Sequence, residues 1–241
     1  MRLLVTRPQP DADAQAALLR EHGYEAIVAP VLAVEVCDPG PVPAADAQAL
    51  IVTSRNALRA LDELGTIDAI MHLPVIAVGK ATARLAENLG FRSVTVGAGA
   101  APSLLPVIRQ TCNPANGPLL YVTGEKTAFD LKPALAAEGF DVVQSVVYAT
   151  RPVKKLDAET IDAIAGGNLD GVILMSAATA QAYARLMKEH ELEEAAAKLV
   201  HLCLSSNVAD ALLERFDAHV AIASRPNQDD LLALIAREAA N

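Results

Sequence analysis

Short apolar runs recur along the chain, each closed by a small polar residue and followed by a stretch whose apolar positions have helical spacing. In four copies the helical stretch ends on Gly or Arg plus an aromatic before the next apolar run. The copies are Leu3-Leu4-Val5-Thr6-Arg7 leading to Gly23-Tyr24, Val75-Ile76-Ala77-Val78-Gly79 to Gly90-Phe91, Leu120-Tyr121-Val122-Thr123-Gly124 to Gly139-Phe140, and Leu202-Cys203-Leu204-Ser205 to Arg215-Phe216. Alternation of uninterrupted apolar strands with amphipathic helices predicts parallel sheets covered on both faces. Every polar stop then falls at the carboxyl edge of its sheet, where open α/β folds bind ligands.

Two shorter starts, Leu50-Ile51-Val52-Thr53-Ser54-Arg55-Asn56 and Val172-Ile173-Leu174-Met175-Ser176-Ala177, also lead into helical patterns. Side by side, the series from Ala49 to Gln110 repeats in element order from Gly171 to Arg237, and Leu3 to Pro30 resembles Leu119 to Val147. An offset of roughly 120 residues indicates two similar domains, because solenoid periods are only about 20 to 50 residues. The segments Asp38-Pro39-Gly40-Pro41-Val42-Pro43 and Asn113-Pro114-Ala115-Asn116-Gly117-Pro118 cannot continue a helix or a central strand and read as connectors. Two extended segments, near 31–36 and 145–151, have no helix after them. They would be paired hinge strands if the middle region is inserted into the other domain; two domains in simple succession fit the pattern as well.

The totals narrow the classes. With 241 residues, 52% of them hydrophobic, the chain has material for one large or two modest cores. No apolar run approaches the roughly 20 residues of a membrane span, and the first run stops at Arg7-Pro8, too early for a signal peptide. Three cysteines, Cys37, Cys112 and Cys203, lack CxxC spacing and fit a reducing compartment, so a cytoplasmic protein is expected. A net charge of -9 with no Lys/Arg run, and aromatics at 3% with no Trp, argue against a nucleic-acid partner. Arg7, Arg55, Lys80, Lys126 and Arg225 nevertheless follow apolar runs closely, so an acidic chain could present a locally positive ligand edge.

The strand ends carry Thr, Ser, Gly, Arg and Lys rather than the acidic cluster of a metal hydrolase or a phosphoryl acceptor. The histidines show no HxxxH or HExxH spacing, and His201 reads as a satisfied strand residue, so no metal is expected. Gly97-Ala98-Gly99-Ala100-Ala101-Pro102 departs from the dinucleotide fingerprint at its third glycine, and neither a GxSxG elbow nor a P-loop is present. What remains is a set of hydroxyl-bearing helix starts: Thr6, Thr53-Ser54, Lys80-Ala81-Thr82, Thr123, Ser176, Thr179 and Ser205-Ser206-Asn207. Singly, each hydroxyl serves as a helix cap worth about 1 kcal/mol. Together, several helix N-termini on one edge offer N–H groups and positive dipole ends to a large polyanion. Tyr148, in the second extended segment, is either a half-buried packing residue or a phenol placed to donate a proton.

The ordered set Val5-Thr6-Arg7-Pro8, Ala29-Pro30-Val31-Leu32, Leu50-Ile51-Val52-Thr53-Ser54, Val78-Gly79-Lys80-Ala81-Thr82-Ala83, Gly139 with Val146-Val147-Tyr148-Ala149-Thr150, and Ser176 resembles the uroporphyrinogen-III synthase family over essentially the whole chain. The resemblance implies two similar flavodoxin-like or Rossmann-like α/β domains joined by a two-strand hinge. Domain 1 would comprise 1–35 and 152–241, with domain 2 inserted as 36–151. It further implies a monomeric, cofactor-free lyase of porphyrin and heme biosynthesis. Such an enzyme cyclises hydroxymethylbilane, a linear tetrapyrrole polycarboxylate, to uroporphyrinogen III with loss of water and inversion of ring D.

In that family Tyr148 falls on a tyrosine suited to proton donation. Thr6, Arg7, Thr53, Ser54, Arg55, Gly79, Lys80, Thr82, Gly124, Lys126, Ser176, Thr179, Ser205 and Ser206 would bind substrate. Two departures stand out: Ser205-Ser206-Asn207-Val208 replaces a Gly-initiated, Thr-bearing turn, and Ala128 occupies a frequently basic position with Lys126 nearby. The rival reading from the residues is a non-catalytic two-domain sensor of a small anion such as a sugar phosphate, which needs the same helix N-termini. A nucleotide-sugar transferase is disfavoured by the short chain and the lack of a glycine-rich loop.

Overall fold

A strand that is apolar on both faces is stable only between two layers of helices, and this constraint organises the chain. The computed structural model describes residues 1–40, 42 and 46–240. It begins with β1 (Arg2–Val5), α1 (Asp11–Glu21), β2 (Glu25–Val28) and β3 (Leu32–Val36). Next come β4 (Ala49–Val52), α2 (Arg55–Glu63), α3 (Ile67–Ile70), β5 (Val75–Ala77), α4 (Lys80–Asn88) and β6 (Val94–Val96). The middle closes with α5 (Leu104–Thr111), β7 (Leu119–Gly124), α6 (Leu131–Ala136) and β8 (Val142–Pro152). The remainder holds α7 (Ala158–Ala165), β9 (Gly171–Leu174), α8 (Ala177–Glu189), α9 (Glu193–Ala196), β10 (Val200–Cys203), α10 (Ser206–Leu213), β11 (His219–Ile222) and α11 (Gln228–Ala239). The Pro- and Gly-rich connector expected over 38–43 includes residues 41 and 43, which lie outside the described residues. Among the described residues no helix is long and apolar enough to cross a membrane.

The chain divides into two compact units, Met1–Ala33 with Arg151–Asn241, and Val34–Thr150. The first unit holds a parallel five-stranded sheet in the order β11-β10-β9-β1-β2. Alternation along β1 sends Leu4 to one face, among residues of α7, α8 and α10, and Leu3 and Val5 to the other, against α1 and α11. All three are fully buried.

The second unit holds six strands in the order β3-β8-β7-β4-β5-β6, with β4 to β8 paired in parallel and β3 outside β8. Leu50 and Val52 pack on the α2 and α4 face, whereas Ala49 and Ile51 pack on the α5 and α6 face. The first sheet has the flavodoxin-like order 2-1-3-4-5, and the second has the same spatial arrangement with its chain order permuted, β8-β7-β4-β5-β6. In the second unit β7 and β8 take the places of β1 and β2, while β4, β5 and β6 take those of β9, β10 and β11.

One core position departs from its sequence reading. His201 on β10 is fully buried between Tyr183 of α8 and Phe216, with ring centroids 5.6 and 5.5 Å away. Its Nδ1 lies 3.2 Å from the His219 carbonyl oxygen, but Nε2, like Tyr183 Oη, has no partner among the described residues. The ring is therefore satisfied at one nitrogen only. Burial, which denies the imidazolium its hydration, pushes the His201 pKa down to about 4.

The unfolded chain takes up this proton near pH 6.5 and the folded chain only near pH 4, so stability should fall as pH drops through that window. The slope from this one group is at most about 1.4 kcal/mol per pH unit, and it ends below about pH 4, where both states are protonated. Urea unfolding of the protein and of His201→Phe at pH 7, 6 and 5 checks this. The variant should lose less stability over the series, and equal losses would remove His201 from the account.

Candidate functional site

Neighbouring parallel strands whose helices leave to opposite faces create a crevice at their carboxyl ends. In the second unit these strands are β4 and β7, in register from Ala49 opposite Leu119 to Val52 opposite Val122. After β4 the chain enters α2 on one face, and after β7 it enters α6 on the other. A pocket of about 540 Å³ opens there. Thr53 and Ser54 line it from the end of β4, Tyr121 and Thr123 from β7, Lys126 and Phe129 from the segment that follows, and Tyr148 from β8. Val78 and residues 99–102 also contribute, and among the described residues no carboxylate lines it.

Local sequence accounts for each wall. Ser54 is extended, and its Oγ accepts the Asn56 N–H at 3.1 Å, capping α2. Tyr121 is fully buried, with Oη 3.5 Å from Thr53 Oγ1. The 99–102 stretch is held by its own hydrogen bonds. Gly99 donates to the Val78 carbonyl at 2.8 Å, Ala98 N–H to Ser103 Oγ at 3.1 Å, and Ser103 Oγ to the Ala100 carbonyl at 2.6 Å. A φ of +97° at Gly99 gives that residue a local reason to be glycine. On β8 the register slips by one residue: Thr123 faces Val146, but Gly124 faces Tyr148. This bulge turns the consecutive residues Val147 and Tyr148 toward the same core, the first buried and the second half-buried.

Of the residues singled out in the sequence, Thr53, Ser54, Thr123, Lys126 and Tyr148 meet in this pocket. Arg55 opens α2 half-buried. Gly79 caps α4 just after Val78, while exposed Lys80 and buried Thr82 belong to that helix's first turn, outside the pocket lining. Gly124 ends β7 opposite Tyr148.

The others belong to the first unit, at the matching edge formed by β1, β9 and β10. There Thr6 is fully buried and its hydroxyl donates to the Ile173 carbonyl at 2.6 Å, so it serves the sheet. Half-buried Arg7 pairs with Asp11 at 2.9 Å. Ser176 caps α8 by accepting the Thr179 N–H at 3.1 Å, and the two hydroxyl oxygens lie 2.8 Å apart, with Thr179 buried. Ser205 precedes α10 without a side-chain cap bond, followed by exposed Ser206.

Sequence reasoning missed Tyr121 and Phe129 and set aside residues 99–102. Tyr121 is hidden within an apolar run, where only its hydroxyl signals a polar use.

Residues 13–233 match the family model described as "Uroporphyrinogen-III synthase HemD". The fold is similar to that of uroporphyrinogen-III synthetase from Helicobacter pylori, at 19% identity and a TM-score of 0.66 over 98% of each chain. It is also similar to a mutant uroporphyrinogen III synthase from the extremely thermophilic bacterium Thermus thermophilus, at 23% identity and a TM-score of 0.53, covering 100% of this chain and 99% of that one. No curated protein matches the chain.

The capping geometry separates hydroxyls that hold the fold from one that does not. Ser54→Ala and Ser176→Ala should each lower unfolding free energy by about 1 kcal/mol. Ser205→Ala, which removes no cap bond, should leave it unchanged within about 0.5 kcal/mol. Denaturant titration of the three variants measures the contrast, and an equal cost at all three positions would refute it.

Proposed function

The chain belongs to the uroporphyrinogen-III synthase family, and from that membership we propose that it folds hydroxymethylbilane over the β4/β7 edge and closes it to uroporphyrinogen III. The observation that carries this reading is the chemistry of the pocket: hydroxyls, a lysine and a phenol, with no carboxylate among the described lining residues. A substrate with eight carboxylates would be repelled by acidic walls in a partly water-excluded site. It is favoured by Lys126, by the hydroxyls of Thr53 and Ser54, and by the N-terminal dipole of α2 behind Arg55. Gly79, Lys80 and Thr82 at the start of α4, and Arg7, Ser176, Thr179, Ser205 and Ser206 on the matching edge of the first unit, are the further proposed carboxylate partners. Thr6 supports that edge from within the sheet.

Water loss needs a proton on the departing hydroxyl. We assign that proton to the Tyr148 phenol, half-buried at the pocket wall. The C–O bond breaks with its electron pair going to the new water, and the cation left on the terminal pyrrole is delocalised through its ring N–H as a protonated azafulvene. Attack at the substituted carbon of ring D gives a spiro-pyrrolenine, whose fragmentation and reclosure invert the ring. Loss of a proton from the final carbon restores aromaticity and can return a proton to the phenolate. Hydroxymethylbilane also closes without inversion, so positioning must discriminate between two closures. A hundredfold preference requires only about 2.7 kcal/mol between their transition states, within reach of a site that merely orients the chain ends. The same reading takes the protein as a cytoplasmic monomer of the heme pathway that needs neither metal nor organic cofactor. Half-buried Cys37 and Cys112 and buried Cys203, all free thiols, are consistent with a reducing compartment.

Incubation with freshly prepared hydroxymethylbilane, followed by oxidation and separation of the porphyrin isomers, should yield the inverted type III isomer. Type I alone would overturn the proposal. Tyr148→Phe should keep the wild-type unfolding transition and lower kcat by about tenfold to a hundredfold, since water can partly replace the phenol. An unchanged kcat would return Tyr148 to a packing role.

A further inference from the structure

We infer that Gly124 is a positioning residue, whose missing side chain sets where the Tyr148 phenol stands. A Cβ at this position would lie 2.6 Å from Tyr148 Cζ, 2.8 Å from Cε2 and 2.9 Å from Oη. These distances fall well inside the roughly 3.5 to 4.0 Å at which non-bonded atoms attract. All three atoms belong to the hydroxyl end of the ring, so the space left by Gly124 is the space the phenol occupies.

Conformational freedom is not the reason for this glycine. Gly124 is the last residue of β7 and is absent from the set of glycines with positive φ. A glycine in a strand loses packing and backbone entropy, and close approach of another group is a common cause of its presence. Here the approaching group is placed by the bulge that sets Gly124 opposite Tyr148.

The Tyr148 backbone is fixed on the same strand pair, because its carbonyl accepts the Glu125 N–H at 2.9 Å. An added methyl group therefore meets an immobile strand and a ring that can rotate. The ring yields and the sheet stays. Gly124, named in the sequence as a substrate contact, acts through the phenol instead.

The effect on turnover rests on Tyr148 as the proton donor, while the geometric effect does not, so two readouts are needed. The chain has four tyrosines, Tyr24, Tyr121, Tyr148 and Tyr183, and tyrosine-selective ring labelling resolves them by NMR. Gly124→Ala should shift the Tyr148 ring resonances and leave those of Tyr24 and Tyr183 in place. It should lower kcat by about tenfold, with KM changed less than about twofold, and cost almost nothing further in a Tyr148→Phe background.

Unshifted Tyr148 resonances would overturn the inference whatever the kinetics. So would an equal loss of kcat in both backgrounds, or a G124A protein that no longer folds. Full turnover by Tyr148→Phe alone would dismiss the proton donor, while a shifted Tyr148 resonance in G124A would still uphold the positioning by Gly124.

Discussion

The site depends on one constraint, the parallel pairing of β4 with β7. Parallel neighbours cannot be joined by a tight hairpin, so each must pass into a crossover connection. Because α2 packs on one face and α6 on the other, neither helix covers the carboxyl ends between them. Backbone N–H groups of the first helical turn and the polar residues just past each strand are left facing that gap. Thr53, Ser54 and Thr123 follow apolar runs, the first two where burial ends and Thr123 still buried, and all three line the pocket. Acids lie close by, Glu125 just past β7 and Asp130 capping α6, but among the described residues none lines the pocket.

The bulge adds what the strand order cannot. Regular pairing would alternate the side chains of β8, sending Val147 and Tyr148 to opposite faces. A one-residue slip puts both toward one core, with Val147 filling it and Tyr148 reaching the pocket rim. The pocket therefore combines a rigid floor, where Tyr121 is wholly buried beneath Thr53, with a phenol whose position is set by a neighbour's absent side chain. Positional precision of this kind is what orientation-based rate enhancement requires.

The strand-stop-helix pattern made the parallel sheets legible, because two-sided burial forces uninterrupted apolar runs and few other folds do. The repeated element order likewise pointed to two similar α/β sheets, although few residues match between the copies. Residues at the stops were legible as a class but not individually. Thr6 and Thr53 look alike in sequence, yet one hydroxyl is closed off by the Ile173 carbonyl and the other faces a pocket. That difference lies in neighbouring strands far away along the chain. Tyr121 and residues 99–102 were illegible for a related reason, since an apolar run hides its hydroxyl and a loop's contacts depend on the sheet beside it. His201 shows the reverse error: periodicity places it correctly inside, but it cannot reveal that one ring nitrogen lacks a partner.

The two units share a scaffold and differ at its edge. Val5-Thr6-Arg7 stands where the second unit has Val122-Thr123-Gly124, and Leu174-Met175-Ser176 where it has Val52-Thr53-Ser54. In place of the glycine that admits a phenol, the first unit carries an arginine paired with Asp11. In place of Thr53 beside a tyrosine hydroxyl it carries Met175, whose sulfur receives a long contact from Gln15 Nε2 at 3.8 Å. The caps survive in both, Ser54 on α2 and Ser176 on α8, where each satisfies an N–H of the first helical turn whatever the ligand. Capping hydroxyls are thus duplicated, and the phenol beside a glycine is not. This asymmetry suits the proposed roles, in which many carboxylates are held but only one departing hydroxyl needs the proton assigned to Tyr148.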